Sequence, residues 1–299
     1  MQKLLLIYNP ASGKGRVKAN LAAAVDVFTK HGWLVTAYPT QSPGDATRIA
    51  RELGGDFERV VCSGGDGTLS ETVAGLMELE HPPVLGFLPA GSTNDCGVSL
   101  DLPADPARSA ALAAGDGLPL PWDVGRLNGR PFVYVAAFGA FTQVAYSTPQ
   151  DLKNALGHMA YVVAGIASIP TITPYHMRVE FDGGHVIEDD FYYGMVCNTY
   201  SIGGMKNIVA DKVDLADGLF EVVLVKKPLA IEEVTGALQN LLFPNEPIER
   251  SAVLSFHASK LTFTCDRAIP WTLDGEYGGS YEKAEAENCK QALTIIRGR

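Results

Sequence analysis

Three short apolar runs near the start of the chain, each followed by a small polar turn, constrain the fold most strongly. The runs are residues 3–8, 59–62 and 84–88, and the turns after them are rich in Gly, Ser, Thr and Asn. Apolar runs that alternate with helical patterns predict a parallel sheet with helices on both faces. Because open α/β sheets bind ligands at the carboxyl ends of their strands, we expect the three turns to form one polar rim.

The alternation of strands and helices covers about the first 120 residues and then stops. Beyond residue 122, β-rich runs separated by turn signals such as Asn128-Gly129 predict a β-sandwich, interrupted by helical patterns at 149–169 and 230–243. We therefore predict an α/β domain at 1–122, completed by the C-terminal strand 289–299, and a β-sandwich domain at 123–288. Within the first domain, strands are predicted at 3–8, 33–38, 59–62 and 84–88, and helices at 17–31, from Ser42-Pro43, at 69–79 and at 106–114.

Charge and composition argue against some classes of protein. The 299 residues carry a formal net charge of −10, which disfavours nucleic-acid binding because such proteins need a basic face. Hydrophobic residues make up 46% of the chain, enough for a sizeable core, yet no apolar run is long enough to span a bilayer. Five scattered cysteines without a CxxC pair indicate reduced thiols, so we expect a cytoplasmic protein.

The second turn, residues 63–68 (SGGDGT), places a carboxylate inside a glycine loop of a kind that usually cradles phosphate. Gly64 and Gly65 allow close backbone approach, and Thr68 is placed to cap the helix that follows. Asp66 would repel a polyphosphate unless a cation lies between the two negative groups. The alternative interpretation is a plain tight turn in which Asp66 is solvated.

The other two turns carry weaker signals when each is taken alone. Residues 9–15 (NPASGKG) lack the spacing of a P-loop, because Tyr8 and Gly15 stand where that motif needs Gly and Ser or Thr. Residues 89–95 (PAGSTND) also fit an ordinary loop. Only the shared position of the turns at strand ends favours a ligand site over plain connections.

Two acidic segments late in the chain are candidates for cation binding and proton transfer. Asp211, Asp214 and Asp217 are three apart in a loop, which suits a hard cation whose shell is completed by a backbone carbonyl and waters. Asp274 and Glu276 are two apart, so in extended chain both would point to one face and could divide cation binding from proton acceptance. Solvated acidic turns are the alternative for both segments.

Taken together, these motifs resemble the soluble bacterial diacylglycerol kinases, a lipid-kinase family that is related to sphingosine and ceramide kinases. GGDGT alone is shared with NAD kinases, whereas the combination is much more specific. The resemblance implies a doubly wound α/β nucleotide-binding domain and an all-β sandwich domain, with the active site in the cleft between them. It runs along nearly the whole chain and depends on 9–13 (NPASG), 64–68 (GGDGT), 91–95 (GSTND), the 214–218 loop and 273–276 (LDGE).

The resemblance also implies a set of functional residues. Glu276 matches the family's proton acceptor, with Asp274 beside it. Our own hypothesis is that Asp66 orients, directly or through water, the Mg²⁺ that accompanies ATP. The residues that would contact ATP are Asn9, Pro10, Ser12, Gly13, Thr40, Gly64, Gly65, Asp66, Gly67, Thr68, Glu71, Thr93 and Asn94. The residues that match a structural Mg²⁺ loop are Asp214, Asp217 and, through its carbonyl, Leu219.

The implied activity is Mg²⁺-dependent transfer of the γ-phosphoryl group of ATP to a lipid hydroxyl. Diacylglycerol would be the acceptor and phosphatidic acid the product, a step of phospholipid biosynthesis. The implied partners are a lipid contacted peripherally at the membrane surface and a second copy of the chain in a homodimer. Two residues depart from the family pattern, since Ser70 replaces an amide and Cys96 replaces a phenylalanine. Neither change removes a charge, so we expect activity.

Two other functions share part of this pattern. An NAD-kinase-like nucleotide-metabolite kinase would share residues 63–68 but would not need Asp274 and Glu276. A catalytically silent lipid- or nucleotide-binding regulator would need neither these carboxylates nor Asp66. The acidic residues therefore favour the lipid kinase.

Overall fold

The computed structural model describes residues 2–139, 173–202, 205–206, 213–227 and 253–299. The chain divides into two compact units. The first comprises Met1–Val124, Leu215–Asp217 and Cys289–Arg299, and the second comprises Gly125–Asp214 and Gly218–Asn288. The helical patterns at 149–169 and 230–243 lie outside the described residues.

The first unit contains a parallel sheet. Its strands β1, β3 and β4 are apolar and largely buried, as expected for strands covered on both faces. Neighbouring strands run parallel in the order β4-β3-β1-β2, so the predicted α/β sheet is confirmed. The strands are β1 (Gln2–Tyr8), β2 (Trp33–Pro39), β3 (Arg59–Gly64) and β4 (Val84–Pro89).

The helices of the first unit are α1 (Arg16–Lys30), α2 (Asp45–Leu53), α3 (Asp66–Leu76), α4 (Asp95–Ser99) and α5 (Pro106–Ala111). Helix α1 packs with α5, and α2 packs with α3. On the α1 face of the sheet, Leu4, Leu6 and Phe28 share one core cluster. Leu5 and Ile7 point to the opposite face and are also fully buried. Both faces are therefore covered, and the unit is doubly wound as predicted.

The start of α3 differs from the sequence prediction. The helix begins at Asp66 with Gly65 at its N-cap, so Thr68 lies in the first turn and the prediction that it caps the helix is wrong. A carboxylate at the first helical position is favourable because the N-terminal N–H groups of a helix carry partial positive charge. The glycine turn at 63–68 therefore runs directly into the N-terminus of α3, which begins at Asp66.

Two other helix boundaries also shift. Helix α2 begins at Asp45 after Gly44, whose φ of 82° is left-handed, so Ser42-Pro43 precedes the helix instead of opening it. Helix α5 ends at Ala111, where a π-helical turn over Leu112–Asp116 begins. None of the helices within the described ranges is long and apolar enough to cross a bilayer.

The second unit is built mainly from antiparallel strands. The last part of β15 and residues 118–124 of β5 belong to the first unit. Ile295 of β15 pairs there in parallel with Leu85 of β4. The remaining strands in chain order are β5 (Leu118–Leu127), β6 (Arg130–Phe132), β7 (Val135–Gly139), β8 (Tyr175–Phe181), β9 (His185–Cys197), β10 (Ser201–Ile202), β11 (Met205–Lys206), β12 (Phe220–Lys226), β13 (Val253–Ala258), β14 (Lys260–Leu273) and β15 (Glu276–Arg297).

Two long strands give the second unit its two layers. Strands β9 and β14 each pair with β8 along one part of their length and with β7 along another. A register shift between Thr264 and Ile269 marks the bend in β14. Phe138, Phe263 and Trp271 fill the core, with ring centroids 4.9 to 6.0 Å apart. The predicted β-sandwich is confirmed.

Candidate active site

The three polar turns of the first unit lie side by side at the carboxyl ends of β1, β3 and β4. The Asn9 N–H donates to the Ser63 carbonyl at 2.9 Å, and the Ala90 N–H donates to the Gly64 carbonyl at 2.7 Å. These bonds continue the parallel pairing of the strands into the turns. The predicted polar rim therefore exists, and it also contains Pro10, Ser12, Gly13, Thr93 and Asn94.

The rim occupies the position in the sheet where ligands bind in open α/β folds. The chain moves from β1 to β2 on one side, whereas β3 and β4 lie on the other side of β1. Such a reversal leaves a crevice at the carboxyl ends of the two central strands. Thr40, which follows β2, donates its N–H to the Tyr8 carbonyl at 2.9 Å and so joins the same edge.

Glycine is required where these turns touch one another. Gly13 has a left-handed φ of 62°, and a Cβ there would lie 2.6 Å from the Ala90 carbonyl oxygen. A Cβ on Gly91 would lie 2.8 Å from the Cα of Gly65. The turns therefore pack backbone against backbone. Gly67 is different, because it is exposed and, apart from its chain neighbours and the backbone of its own helix, no atom of the described residues lies within 4 Å of the place a Cβ would take.

The carboxylate of Asp66 joins the second turn to the third. It accepts the backbone N–H groups of Asp95 and Cys96, each at 3.2 Å, and these residues open helix α4. Asn94 precedes them with a left-handed φ of 56°, and its Oδ1 accepts the Gly91 N–H at 2.7 Å. The side chain of Asp66 is thus held in place at the rim, not loosely solvated as in a plain turn.

Glu71 has a positioning task that the sequence did not reveal. Its carboxylate accepts the N–H groups of Gly44 at 2.8 Å and Ala46 at 3.3 Å, in the first turn of α2. The hydroxyl of Thr47 donates to the Glu71 carbonyl at 2.9 Å. Because these bonds fix the segment that follows Thr40, Glu71 supports the rim through that segment.

A cavity of about 270 Å³ adjoins the rim on the α1 side. Its floor includes Leu6 and Val17, and its mouth includes Arg16, Asn20 and Ser92. Arg16 is not among the residues predicted from the sequence. A basic residue at the first position of the helix after a glycine turn was the signal that could have identified it.

Cys62 directly precedes the second turn. It is fully buried, and this burial raises the pKa of its thiol to about 12. The thiol is therefore neutral at physiological pH and is not a nucleophile for chemistry at the rim.

The 214–219 loop presents oxygen donors. Asp214 and Asp217 are exposed, Leu219 is half-buried, and the Leu215 carbonyl accepts the Asp123 N–H at 2.9 Å. Two carboxylates and a carbonyl are oxygen ligands, the donor type that Mg²⁺ accepts. In the described part of the chain, no three His, Cys, Asp or Glu side chains cluster as metal ligands would.

Asp274 and Glu276, in the second unit, do not point to one face, so that expectation is wrong. Asp274 and Gly275 form the two-residue turn between β14 and β15, with φ values of 51° and 82° that are typical of a type I′ hairpin. The turn reverses the chain between the two carboxylates. Asp274 is therefore buried, whereas Glu276 is exposed.

The environment of Asp274 argues against a role as proton acceptor. Its carboxylate accepts the N–H groups of Val133, Tyr134 and Val135, at 2.8, 3.0 and 3.2 Å. Its own N–H donates to the Val135 carbonyl at 2.8 Å. A buried carboxylate that accepts three backbone N–H groups is held in one orientation by those bonds, as a structural group of the turn is.

The chain matches known protein families along both of its parts. Residues 3–127 match the family model described as the diacylglycerol kinase catalytic domain. Residues 135–297 match the model described as the YegS C-terminal NAD kinase beta sandwich-like domain. The two matches follow the same order as the α/β and all-β parts of the structure.

Similar proteins extend this likeness over nearly the whole length. A Bacillus subtilis diacylglycerol kinase is 32% identical over 93% of this chain and 91% of its own length. A Staphylococcus carnosus diacylglycerol kinase is 34% identical over 97% and 93%. A crystal structure of a diacylglycerol kinase from Bacillus anthracis has a TM-score of 0.79 at 24% identity, over 99% of this chain and 97% of that one, and shows the same fold. By its 32% and 34% identity to the Bacillus subtilis and Staphylococcus carnosus enzymes, this chain belongs to the diacylglycerol kinase family and is a lipid kinase.

Proposed function

We propose that this lipid kinase transfers the γ-phosphoryl group of ATP to the hydroxyl of diacylglycerol and forms phosphatidic acid. The observation that carries the proposal is the rim of three glycine turns, with the fixed Asp66 carboxylate, at the switch point of the sheet. A rim of backbone N–H groups and a helix N-terminus suits phosphates. The full-length relatives named diacylglycerol kinase supply the choice of acceptor.

The nucleotide would lie along the rim of the first unit. Its phosphates would contact the N–H groups at the start of α3 and the turn at 9–13, where glycine lets the backbone approach closely. Thr40, held by its bond to Tyr8, and the 40–44 segment, held by Glu71, would contact the rest of the nucleotide. The remaining proposed contacts are Pro10, Ser12, Gly64, Gly65, Thr68, Thr93 and Asn94.

Asp66 and the 214–219 loop are the proposed Mg²⁺-binding elements. A bound Mg²⁺ would neutralise charge on the phosphates during phosphoryl transfer. Asp66 would hold the ion that accompanies ATP, directly or through a water, from the position that its bonds to the Asp95 and Cys96 N–H groups give it. Asp214, Asp217 and the Leu219 carbonyl would hold a structural ion.

Glu276 is the proposed proton acceptor. The lipid hydroxyl oxygen would form a bond to the γ-phosphorus while the bond from that phosphorus to the β–γ bridging oxygen breaks and ADP leaves. The hydroxyl proton would pass to the exposed carboxylate of Glu276. We further propose that the enzyme meets its lipid by peripheral contact with a membrane and works as a homodimer.

The experiment that tests the proposed function is transfer of label from γ-labelled ATP, with Mg²⁺ present, to a panel of acceptors. The panel contains diacylglycerol in mixed micelles, sphingosine and NAD. Labelled phosphatidic acid is the expected product. Label in NAD alone would assign the chain to nucleotide-metabolite kinases, and label in no acceptor would contradict a kinase.

Gly67→Ala is expected to separate nucleotide binding from stability. Gly67 is the second residue of α3 and has open space around it, and alanine is favoured over glycine inside a helix by about 0.5–1 kcal/mol. The melting temperature should therefore stay level or rise. A methyl group facing the phosphates should raise KM for ATP by about 10-fold, which corresponds to about 1.4 kcal/mol.

Gly55→Ala, at another exposed and open glycine of the same unit, is the matched control. An unchanged KM in Gly67→Ala would remove this residue from the nucleotide site.

Asp214→Ala is expected to remove a Mg²⁺-dependent gain in thermal stability. A ligand that binds only the folded state at 100 times its Kd stabilises that state by about 2.7 kcal/mol. Wild-type protein should therefore melt at a higher temperature in Mg²⁺ than in EDTA, and Asp214→Ala should lose most of this difference. Asp56→Ala, at an exposed aspartate elsewhere, should keep it. Equal Mg²⁺ responses in all three proteins would dismiss the loop as a metal site.

A further inference from the structure

The β14–β15 hairpin contains an irregularity directly after Glu276. Trp271 pairs with Gly279, but its neighbour Thr272 pairs with Tyr277, which leaves one extra residue in β15. This residue is Gly278, and the arrangement is a β-bulge. A bulge bends its strand and redirects the side chains beside it. The direction of the Glu276 carboxylate therefore depends on how the bulge is held.

Two side chains hold the carbonyl of the bulge residue. The Gly278 oxygen accepts a hydrogen bond from the Arg130 guanidinium at 2.6 Å and another from the Tyr281 hydroxyl at 2.9 Å. The bond from Arg130 is charge-assisted and short, so it is the stronger of the two. Arg130 comes from a distant part of the sequence, at the start of β6.

The turn before Arg130 is itself fastened to β15. The Asn128 N–H donates to the Glu285 carbonyl at 2.9 Å, and the Asn128 Oδ1 accepts the Glu285 N–H at 2.8 Å. The Asn128 side-chain amide also donates to the Lys283 carbonyl at 3.1 Å. These three bonds fix the backbone next to Arg130 relative to the hairpin. The Arg130 guanidinium therefore reaches the bulge from a backbone that is itself held to β15.

The residues that follow Arg130 in the chain also bind the hairpin, on the other side of Glu276. The N–H groups of 133–135 bind the Asp274 carboxylate, and Arg130 binds the Gly278 carbonyl. Residues 130–135, named here the 130–135 segment, thus hold the chain two residues before Glu276 and two residues after it. Anchors on both sides restrict the backbone from which the Glu276 side chain extends.

We propose that Arg130 is a positioning residue for Glu276, and that Asp274 shares this role instead of accepting the proton. This inference rests on the proposed function, in which Glu276 takes the proton from the lipid hydroxyl. An anchor of this kind acts on the rate, because a displacement of about 1 Å at a reacting group costs about 10²-fold. Neither residue need touch substrate.

The first test measures, without any assay of activity, whether the bond from Arg130 to the Gly278 carbonyl stabilises the hairpin around Glu276. In Arg130→Met, hydrogen exchange of peptides covering 274–280 is expected to be at least about 10-fold faster than in the wild type, since local opening becomes easier. The control is Arg267→Met, which removes a guanidinium bond of the same type, to the Pro174 carbonyl at 3.0 Å. It should leave exchange at 274–280 unchanged. Unchanged exchange in Arg130→Met would overturn the anchor.

The second test asks whether the anchor acts through Glu276. Arg130→Met is expected to lower kcat by about 10- to 100-fold while KM for ATP stays within about twofold. Arg130→Lys should recover much of the rate, because an ammonium can still donate to one carbonyl. In a Glu276→Gln background, Arg130→Met should cost less than about twofold, since the group it positions is gone.

The outcomes separate this inference from the proposed function. Wild-type protein without phosphoryl transfer would contradict the proposed function, while hydrogen exchange would still decide whether the anchor exists. An active wild type with an unchanged Arg130→Met rate would overturn the positioning role. An equal loss from Arg130→Met in the presence and absence of Glu276 would also overturn it, because the effect would then be independent of Glu276.

Discussion

Glu276→Gln is expected to lower kcat by about 10²-fold or more, the usual contribution of a general base. Glutamine has nearly the same shape as glutamate but cannot accept the proton from the lipid hydroxyl. Glu276 is exposed and lies beyond the buried Asp274, so its replacement should leave the melting temperature and KM for ATP nearly unchanged. Initial rates at saturating ATP and lipid, together with thermal melts, measure this separation.

Glu282→Gln provides the matched control for this experiment. Glu282 is an exposed glutamate on the same strand, β15, and the same change of charge there should leave kcat unchanged. An unaltered kcat in Glu276→Gln would remove Glu276 from the role of proton acceptor. Equal losses in both variants would point to an effect of overall charge and would also contradict the assignment.

Asp66→Ala is expected to lower turnover by about 10³-fold, the upper range for loss of one electrostatic group at a reacting centre. The variant loses the negative charge proposed to hold the nucleotide's Mg²⁺ and leaves the Asp95 and Cys96 N–H groups without this acceptor. The second loss should also lower the stability of the first unit by about 1–2 kcal/mol. Turnover and chemical denaturation are measured on the same preparation.

Two further variants separate charge from structure at this position. Asp66→Asn keeps one oxygen for an N–H group but loses the charge, so we expect a smaller loss of stability and a large loss of turnover. Asp105→Ala removes the side chain that caps α5 by accepting the Arg108 N–H at 2.8 Å, without touching the rim. It should lose about 1 kcal/mol of stability and keep its turnover. Wild-type turnover in Asp66→Asn would contradict the metal role.

Features with a local or periodic cause were predictable from the sequence. The buried strands β1, β3 and β4 show as apolar runs, and parallel pairing places their carboxyl ends at one edge, so the rim could be inferred. The sandwich could be inferred because β-rich runs and turn residues alternate. The α3 boundary was missed because Asp66 stabilises the first helical turn three residues before the apolar pattern begins.

Features that depend on distant contacts were not predictable. Asp274-Gly275 is a dipeptide typical of a type I′ turn, and that local signal contradicted the extended interpretation of the acidic pair. No local pattern, however, shows that the Asp274 carboxylate meets the N–H groups of 133–135, or that Arg130 reaches Gly278. The carboxylate of Glu71 likewise binds a helix that precedes it in the chain. Such pairings are set by how strands pack, so one sequence does not reveal them.

The central claim is that a Mg²⁺-bound triphosphate lies on the turns after β1, β3 and β4, with Asp66 at the metal. A crystal structure with Mg²⁺ and a non-hydrolysable ATP analogue tests this claim most directly. The expected result is phosphate oxygens on the N–H groups of 65–68 and against the turn at 9–13, and Mg²⁺ bound to Asp66 directly or through one water. A triphosphate bound elsewhere, or an ion held without Asp66, would contradict the claim.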